Sequence, residues 1–100
     1  MLSKEPKIES KKYREWVASL PCIECGIEDD TVIAHHLRGR CNPLSGSTAR
    51  KANDYLVMPL CYKHHMDLHN GSTELLDLQA YWILKTIDKA FKDEVIWFKI

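Results

Sequence analysis

The residues that could do chemistry in this 100-residue chain are five histidines and four cysteines, and nearly all of them fall in three short stretches. Cys22-Ile23-Glu24-Cys25-Gly26 is a CxxCG turn. His35-His36 closes the run Thr31-Val32-Ile33-Ala34-His35-His36-Leu37. Cys61-Tyr62-Lys63-His64-His65-Met66-Asp67-Leu68-His69 holds one cysteine and the other three histidines. Thiolates and imidazoles are the ligands that zinc prefers, and a CxxC turn aims two thiolates at one ion. Gly26 permits the tight turn that follows the second. A redox pair is the competing reading of CxxC, but redox pairs open a helix after a strand, and Gly26-Ile27-Glu28-Asp29-Asp30 breaks a helix. Cys41 has no CxxC partner and reads as a bystander.

The third stretch sorts its own ligands if it is helical. At about 100° per residue, with Cys61 at zero, His64 falls near about −60°, His65 near about +40° and His69 near about +80°. Cys61 with His64 then forms one pair, and His65 with His69 a second pair on a neighbouring face. Cys22, Cys25, Cys61 and His64 would make a closed, tetrahedral structural zinc site. His65 and His69 with a histidine from the 31–37 run would make an open nitrogen site with room for water and substrate. A register that pairs Cys61 with His65 is the alternative for the zinc site.

The elements that must position these residues follow from patterning. Tyr13, Trp16, Val17 and Leu20 are spaced as one face of an amphipathic helix within Ile8–Leu20, ended by Pro21. Residues 1–7 are polar and expected to fray. Thr31–Leu37 is β-branched and reads as a strand. Asp54–Leu60 reads as a second short strand closed by Pro59. Cys61–Asn70 reads as a helix capped by Gly71. A last helix over 73–92 starts at Ser72 or Thr73, with acid in its first turn. Leu75, Leu76, Leu78, Tyr81, Trp82, Leu84, Ile87 and Phe91 give it a wide apolar stripe, a core face and not a cofactor box. Val95-Ile96-Trp97-Phe98 is a terminal strand or a packed tail. Between the strands, 38–53 is a long polar loop. Its cations Arg38, Arg40, Arg50 and Lys51 are the candidates for phosphate contact. The class is α+β, in one domain over residues 1–100.

Composition bounds the rest. Apolar residues make up 45%, enough for one small core. Lys+Arg and Asp+Glu are both 14, so net charge gives no global signal for nucleic acid. No secretory h-region and no apolar run of membrane-spanning length is present, which leads us to expect a soluble, cytoplasmic protein without a membrane partner. In a reducing compartment these cysteines argue for metal or packing, not disulfides.

CxxC, a strand ending in His-His, and Pro-Leu-Cys-x-x-His-His-x-x-x-His together resemble the HNH (ββα-metal, His-Me finger) endonucleases. Within that group the chain is most similar to phage recombination-enhancement nucleases of the Ref type and small prophage HNH proteins. The resemblance covers roughly residues 12–70, and Lys12-Tyr13-Arg14-Glu15-Trp16-Val17 and Leu20-Pro21-Cys22 look similar too. It implies a zinc-stabilised ββα-metal core flanked by an N-terminal helix and a longer C-terminal one. By position it implies that His36 is the general base that activates a water. His35, His65 and His69 would hold a catalytic divalent cation, Mg²⁺, Mn²⁺ or Zn²⁺, beside the structural Zn²⁺ at Cys22, Cys25, Cys61 and His64. The family's middle Asn, which orients the base, has no direct counterpart. Asn53 and Asp54 stand near its place, and Asp54 is favoured. His64 stands where many relatives have a fourth Cys.

The function so implied is a metal-dependent endonuclease or nickase acting on DNA, phage or prophage encoded, working in a bacterial host and linked to recombination. A recombinase filament would be a partner. A non-catalytic zinc module binding nucleic acid or a recombination protein is the alternative, and a redox or metal-storage protein the third reading. A purely structural module needs Cys22, Cys25, Cys61 and one His, and has no use for His35, His36 and His69 together.

Overall fold

The computed structural model describes residues 8–47 and 50–98, so the segment expected to fray, 1–7, lies outside them. The chain order is α1 (Lys11–Ala18), β1 (Ile33–His36), β2 (Gly46–Ser47), β3 (Arg50–Lys51), β4 (Val57–Leu60), α2 (Tyr62–His69) and α3 (Thr73–Lys92). The α+β expectation holds, with three helices around a short antiparallel β1–β4 pair.

The β1–β4 register sets His35 against Met58 and His36 against Val57. Side chains alternate along a strand, so the pair sends its residues to two different cores. Met58 and Leu60 join Cys22, Leu37, Leu68, Trp82 and Ile83 under α2 and α3. Val57 and Ala34 join Tyr13, Val17, Ala90, Val95 and Ile96 beneath α1. Pro59 is an interior residue of β4, not its end. A two-stranded ladder leaves outward backbone positions where a missing N–H costs nothing. The Pro59 carbonyl is used instead, accepting from Ile23 N–H at 2.9 Å and docking the CxxC turn.

The helices start where side chains can replace missing backbone partners. Ser10 accepts from Tyr13 N–H and caps α1, and Ser72 accepts from Leu75 N–H and caps α3. Gly71, at φ +86°, turns the chain between α2 and α3.

Three sequence expectations are corrected here. Residues 38–53 are not without regular structure, because β2 and β3 pair as a small hairpin, Gly46 with Lys51 and Ser47 with Arg50. Gly46 is required there: at φ +79°, a Cβ would lie 2.1 Å from the Arg50 carbonyl oxygen. The second strand begins at Val57, not Asp54, because Leu56 N–H turns back to the Asn53 carbonyl. Tyr81 and Leu84 lie on the solvent side of α3, 59% and 67% exposed, while the buried row is Gln79, Trp82, Ile83, Thr86 and Ala90. Of the two readings of residues 95–98, strand or packed tail, the tail is the one found: Val95 and Ile96 touch the α1-side core, and Phe98 stacks on Phe91.

Candidate functional site

Two groups of side chains among the described residues could each hold a metal ion: Cys22, Cys25, Cys61 and His64, and His35, His65 and His69. Both are the sets expected from sequence. Their spacing can be compared with coordination geometry. Zn–S near 2.3 Å and Zn–N near 2.0–2.1 Å give tetrahedral edges of about 3.8 Å for S···S, about 3.5 Å for S···N and about 3.3 Å for N···N.

In the first group Cys25 Sγ lies 3.8 Å from Cys61 Sγ, and His64 Nδ1 lies 3.3 Å from Cys61 Sγ and 3.7 Å from Cys22 Sγ. These three distances match edges of a four-coordinate metal site. Local structure explains them. Gly26, at φ +77°, lets its N–H close on the Cys22 carbonyl at 2.7 Å, folding the CxxC turn over. Cys61 occupies the N-cap of α2, and His64 is one turn on. The alternative of Cys61 with His65 is not the arrangement found. Burial works against the Cys22 thiolate, but backbone hydrogen bonds from Cys61, Cys25 and Glu24 and one from the Cys25 side chain outweigh it, bringing the thiol down to about 7. Burial pushes the Cys61 thiol up. A coordinated cation is what would deprotonate it.

In the second group His35 Nε2 lies 3.3 Å from His69 Nε2, the edge expected for two nitrogens on one ion. The three imidazole rings stand 4.4–5.2 Å apart, edge to face. His35 Nδ1 and His65 Nδ1 are buried without a hydrogen-bond partner among the described residues. Burial is the main cause that brings His35 down to about 4, with the charges of His65, His69 and Arg38 adding to it. Burial also lowers His69, followed by Arg38 and His65. Both imidazoles are therefore neutral at pH 7, the form in which they ligate.

His36 points the other way, as strand alternation requires. Its Nε2 lies 2.8 Å from Asp54 Oδ1. Asp54 Oδ2 accepts from Arg14 Nε at 2.9 Å and from Ser10 N–H at 2.8 Å. Burial opposes ionisation of Asp54, but these partners win and hold its carboxyl below the ordinary range. An ionised carboxylate only accepts, so His36 carries a proton on Nε2, and in its neutral form the lone pair lies at Nδ1. Asn53 is engaged elsewhere: its Oδ1 accepts from Ile8 N–H at 2.8 Å. Of the two neighbours, Asp54 is the one that meets His36.

His35, His36, His65 and His69 line one groove of about 800 Å³ together with Arg38, Arg50 and Lys51. Arg40 is turned to α3, where its Nε pairs with Asp77 at 2.7 Å. Sequence reasoning missed three participants. Ser10 and Arg14 sit one turn apart, as a helix cap and its first turn, but nothing local marks Asp54 as their partner. Gln79 carried a signal, because a polar residue four after Leu75 and three before Trp82 falls on the buried row of α3.

The profile of the family described as "Protein of unknown function (DUF968)" matches residues 1–93. The chain belongs to that family. One relative, "Uncharacterized protein YdfU" of Escherichia coli (strain K12), is 37% identical over 92 residues. The match takes in 89% of this chain and 25% of that protein, so the chain spans about a quarter of the relative's length. No solved structure matches the chain. No helix among the described residues is long and apolar enough to cross a membrane.

Proposed function

We propose that this DUF968 domain is a metal-dependent nuclease of the HNH type that hydrolyses DNA phosphodiesters. The observation that carries the reading is the division of the adjacent pair on β1. His35 joins the three-histidine cluster, His36 joins Asp54, and both line one groove with Arg38, Arg50 and Lys51.

In this reading the Cys22, Cys25, Cys61 and His64 site is structural zinc. It docks the CxxC turn onto α2 and so fixes the helix that presents His65 and His69. A divalent cation held by His35, His65 and His69 would offset charge on the scissile phosphate and on the departing oxygen. Asp54 accepts a hydrogen bond from His36 Nε2–H and so fixes the tautomer. His36 Nδ1 then takes the proton from the attacking water. Arg14 and the Ser10 N–H keep Asp54 ionised. The cations on the groove contact backbone phosphates. The resemblance to phage recombination nucleases further suggests a recombination setting in a bacterial cytoplasm and a recombinase filament as partner.

The test is nicking of supercoiled plasmid with and without Mg²⁺ or Mn²⁺, by the chain and by His36→Ala. Metal-dependent nicking that His36→Ala loses by about 10²–10⁴-fold supports the assignment. Equal nicking by both sinks it. Tight DNA binding with no nicking under any divalent ion returns the non-catalytic zinc module.

A further inference from the structure

Gln79 is fully buried in α3, forty-one residues from the strand exit that it touches. Its Oε1 accepts from Arg38 N–H at 3.0 Å, and its Nε2 donates to the Arg38 carbonyl at 2.7 Å and to the Leu76 carbonyl at 3.1 Å. One side-chain amide thus pairs both backbone groups of Arg38, as a neighbouring strand would. Arg38 lies just beyond β1, where the β1–β4 register, His36 with Val57, has ended. Its backbone partners therefore come from α3. A buried amide satisfied at all these positions holds its partner in one place.

The side chain of the residue so held reaches the three-histidine cluster. Arg38 Nη1 lies 2.5 Å from His69 Nδ1 and 3.3 Å from His69 Nε2, and Arg38 lines the groove. A guanidinium is a poor neighbour for a cation site unless an anion stands between them. Its planar fork matches phosphate oxygens. If His69 ligates through Nε2, its proton moves to Nδ1. Arg38 can then no longer donate there, and its fork is left for an anion.

We propose that Gln79 is a positioning residue that sets Arg38 beside the histidine cluster as the phosphate-binding group of the groove. The inference deepens the nuclease reading and rests on it for the phosphodiester substrate. Arg40, paired with Asp77, and Gln79 are different links from the same loop to α3, and only Gln79 fixes the backbone of the residue that meets the cluster.

The experiment is a double-mutant cycle in the full chain as purified, with Gln79→Leu, Arg38→Ala and both together. The readout is Kd for a short oligonucleotide at several salt concentrations. Each single variant is expected to weaken binding about tenfold, as for loss of one charge-assisted contact, and to lower the salt slope by about one unit. The double variant should be no weaker than Arg38→Ala alone, because both remove the same contact. Additive losses, or a Gln79→Leu protein with reduced melting temperature and unchanged Kd, make Gln79 structural only and overturn the proposal.

Inorganic phosphate, titrated while the Arg38 Nε–H resonance is followed by NMR, separates this idea from the nuclease reading. A phosphate-induced shift in the wild type that Gln79→Leu loses supports the positioning role even where no oligonucleotide binds and the nuclease reading fails. No shift in the wild type overturns it. If Gln79→Leu does not fold, Gln79→Glu replaces it in both measurements. That variant keeps an acceptor for Arg38 N–H and loses the donor to the Arg38 carbonyl, so partial loss is expected and wild-type behaviour overturns the proposal.

Discussion

His36 Nε2 meets Asp54 Oδ1 at 2.8 Å, from the α1 side of β1, while its neighbour His35 faces α2. Asp54 is 4% exposed and holds three partners from two other parts of the chain, His36, Arg14 and Ser10 N–H. Asp54→Asn keeps the size and loses the charge. It is expected to cost about 2 kcal/mol, typical of charge-assisted hydrogen bonds, and to leave His36 free to hold its proton on Nδ1. The Asp54 carboxyl titrates below its ordinary value of 3.8 in the folded chain. Its stabilisation is therefore complete above that value and fades as pH falls through the lower folded-state value. Urea melts of both proteins should differ at pH 7 and converge towards pH 2. A constant gap across that range would mean that charge is not what Asp54 supplies.

Removing a thiolate from the first group should unfold the chain. Structural zinc contributes on the order of 10–16 kcal/mol of apparent binding energy against a whole-domain stability of about 5–15 kcal/mol. Cys22→Ser and Cys61→Ser are expected to lose bound zinc and cooperative melting together. Wild-type melting and one zinc per chain in Cys22→Ser would remove Cys22 from the ligand set.

The two histidines of β1 should fail differently. His36→Ala is expected to fold, keep its affinity for a divalent ion and lose cleavage by about 10²–10⁴-fold. His35→Ala should weaken ion binding at the second site, with activity partly restored by excess metal. Calorimetric metal titration beside a nicking assay checks both, and exchanged phenotypes would mean exchanged roles.

His35 also predicts an acid sensitivity. Its imidazole ordinarily titrates at 6.5 and is brought down to about 4 in the fold, chiefly by burial. Between those values the unfolded chain binds the proton at His35 and the folded chain does not, so the contribution of His35 lowers stability as pH falls from about 6.5 to about 4 and is constant below. His35→Gln should show a shallower decline between pH 7 and pH 5 in urea melts. An identical decline would place the acid sensitivity elsewhere.

The groove cations give a salt test. Neutralising Arg38, Arg50 or Lys51 should lower the salt slope of DNA binding by about one unit each. Arg40→Ala should change it less, since Arg40 is paired with Asp77. Equal effects of all four would mean that the Arg40–Asp77 pair opens on DNA.

The two groups of candidate ligands were legible in the sequence because they depend on short-range geometry. CxxC with a following glycine, and Cys61, His64, His65 and His69 at helical offsets, confine the ligands to two faces whatever the rest of the chain does. The strand pair and the span of α3 were legible from β-branched runs, the Ser72 cap and apolar periodicity. What only the tertiary structure decided was pairing across distance. No local pattern says that Asp54 rather than Asn53 meets His36, that Arg14 and Ser10 bind the same carboxylate, or that Arg40 turns to Asp77. Nor does a local pattern say which side of α3 faces the core, and so Tyr81 and Leu84 read as buried and are not. Each of these is set by how the β1–β4 pair is clamped between α1 and α3. That packing is a sum over many residues, and no one of them encodes it alone.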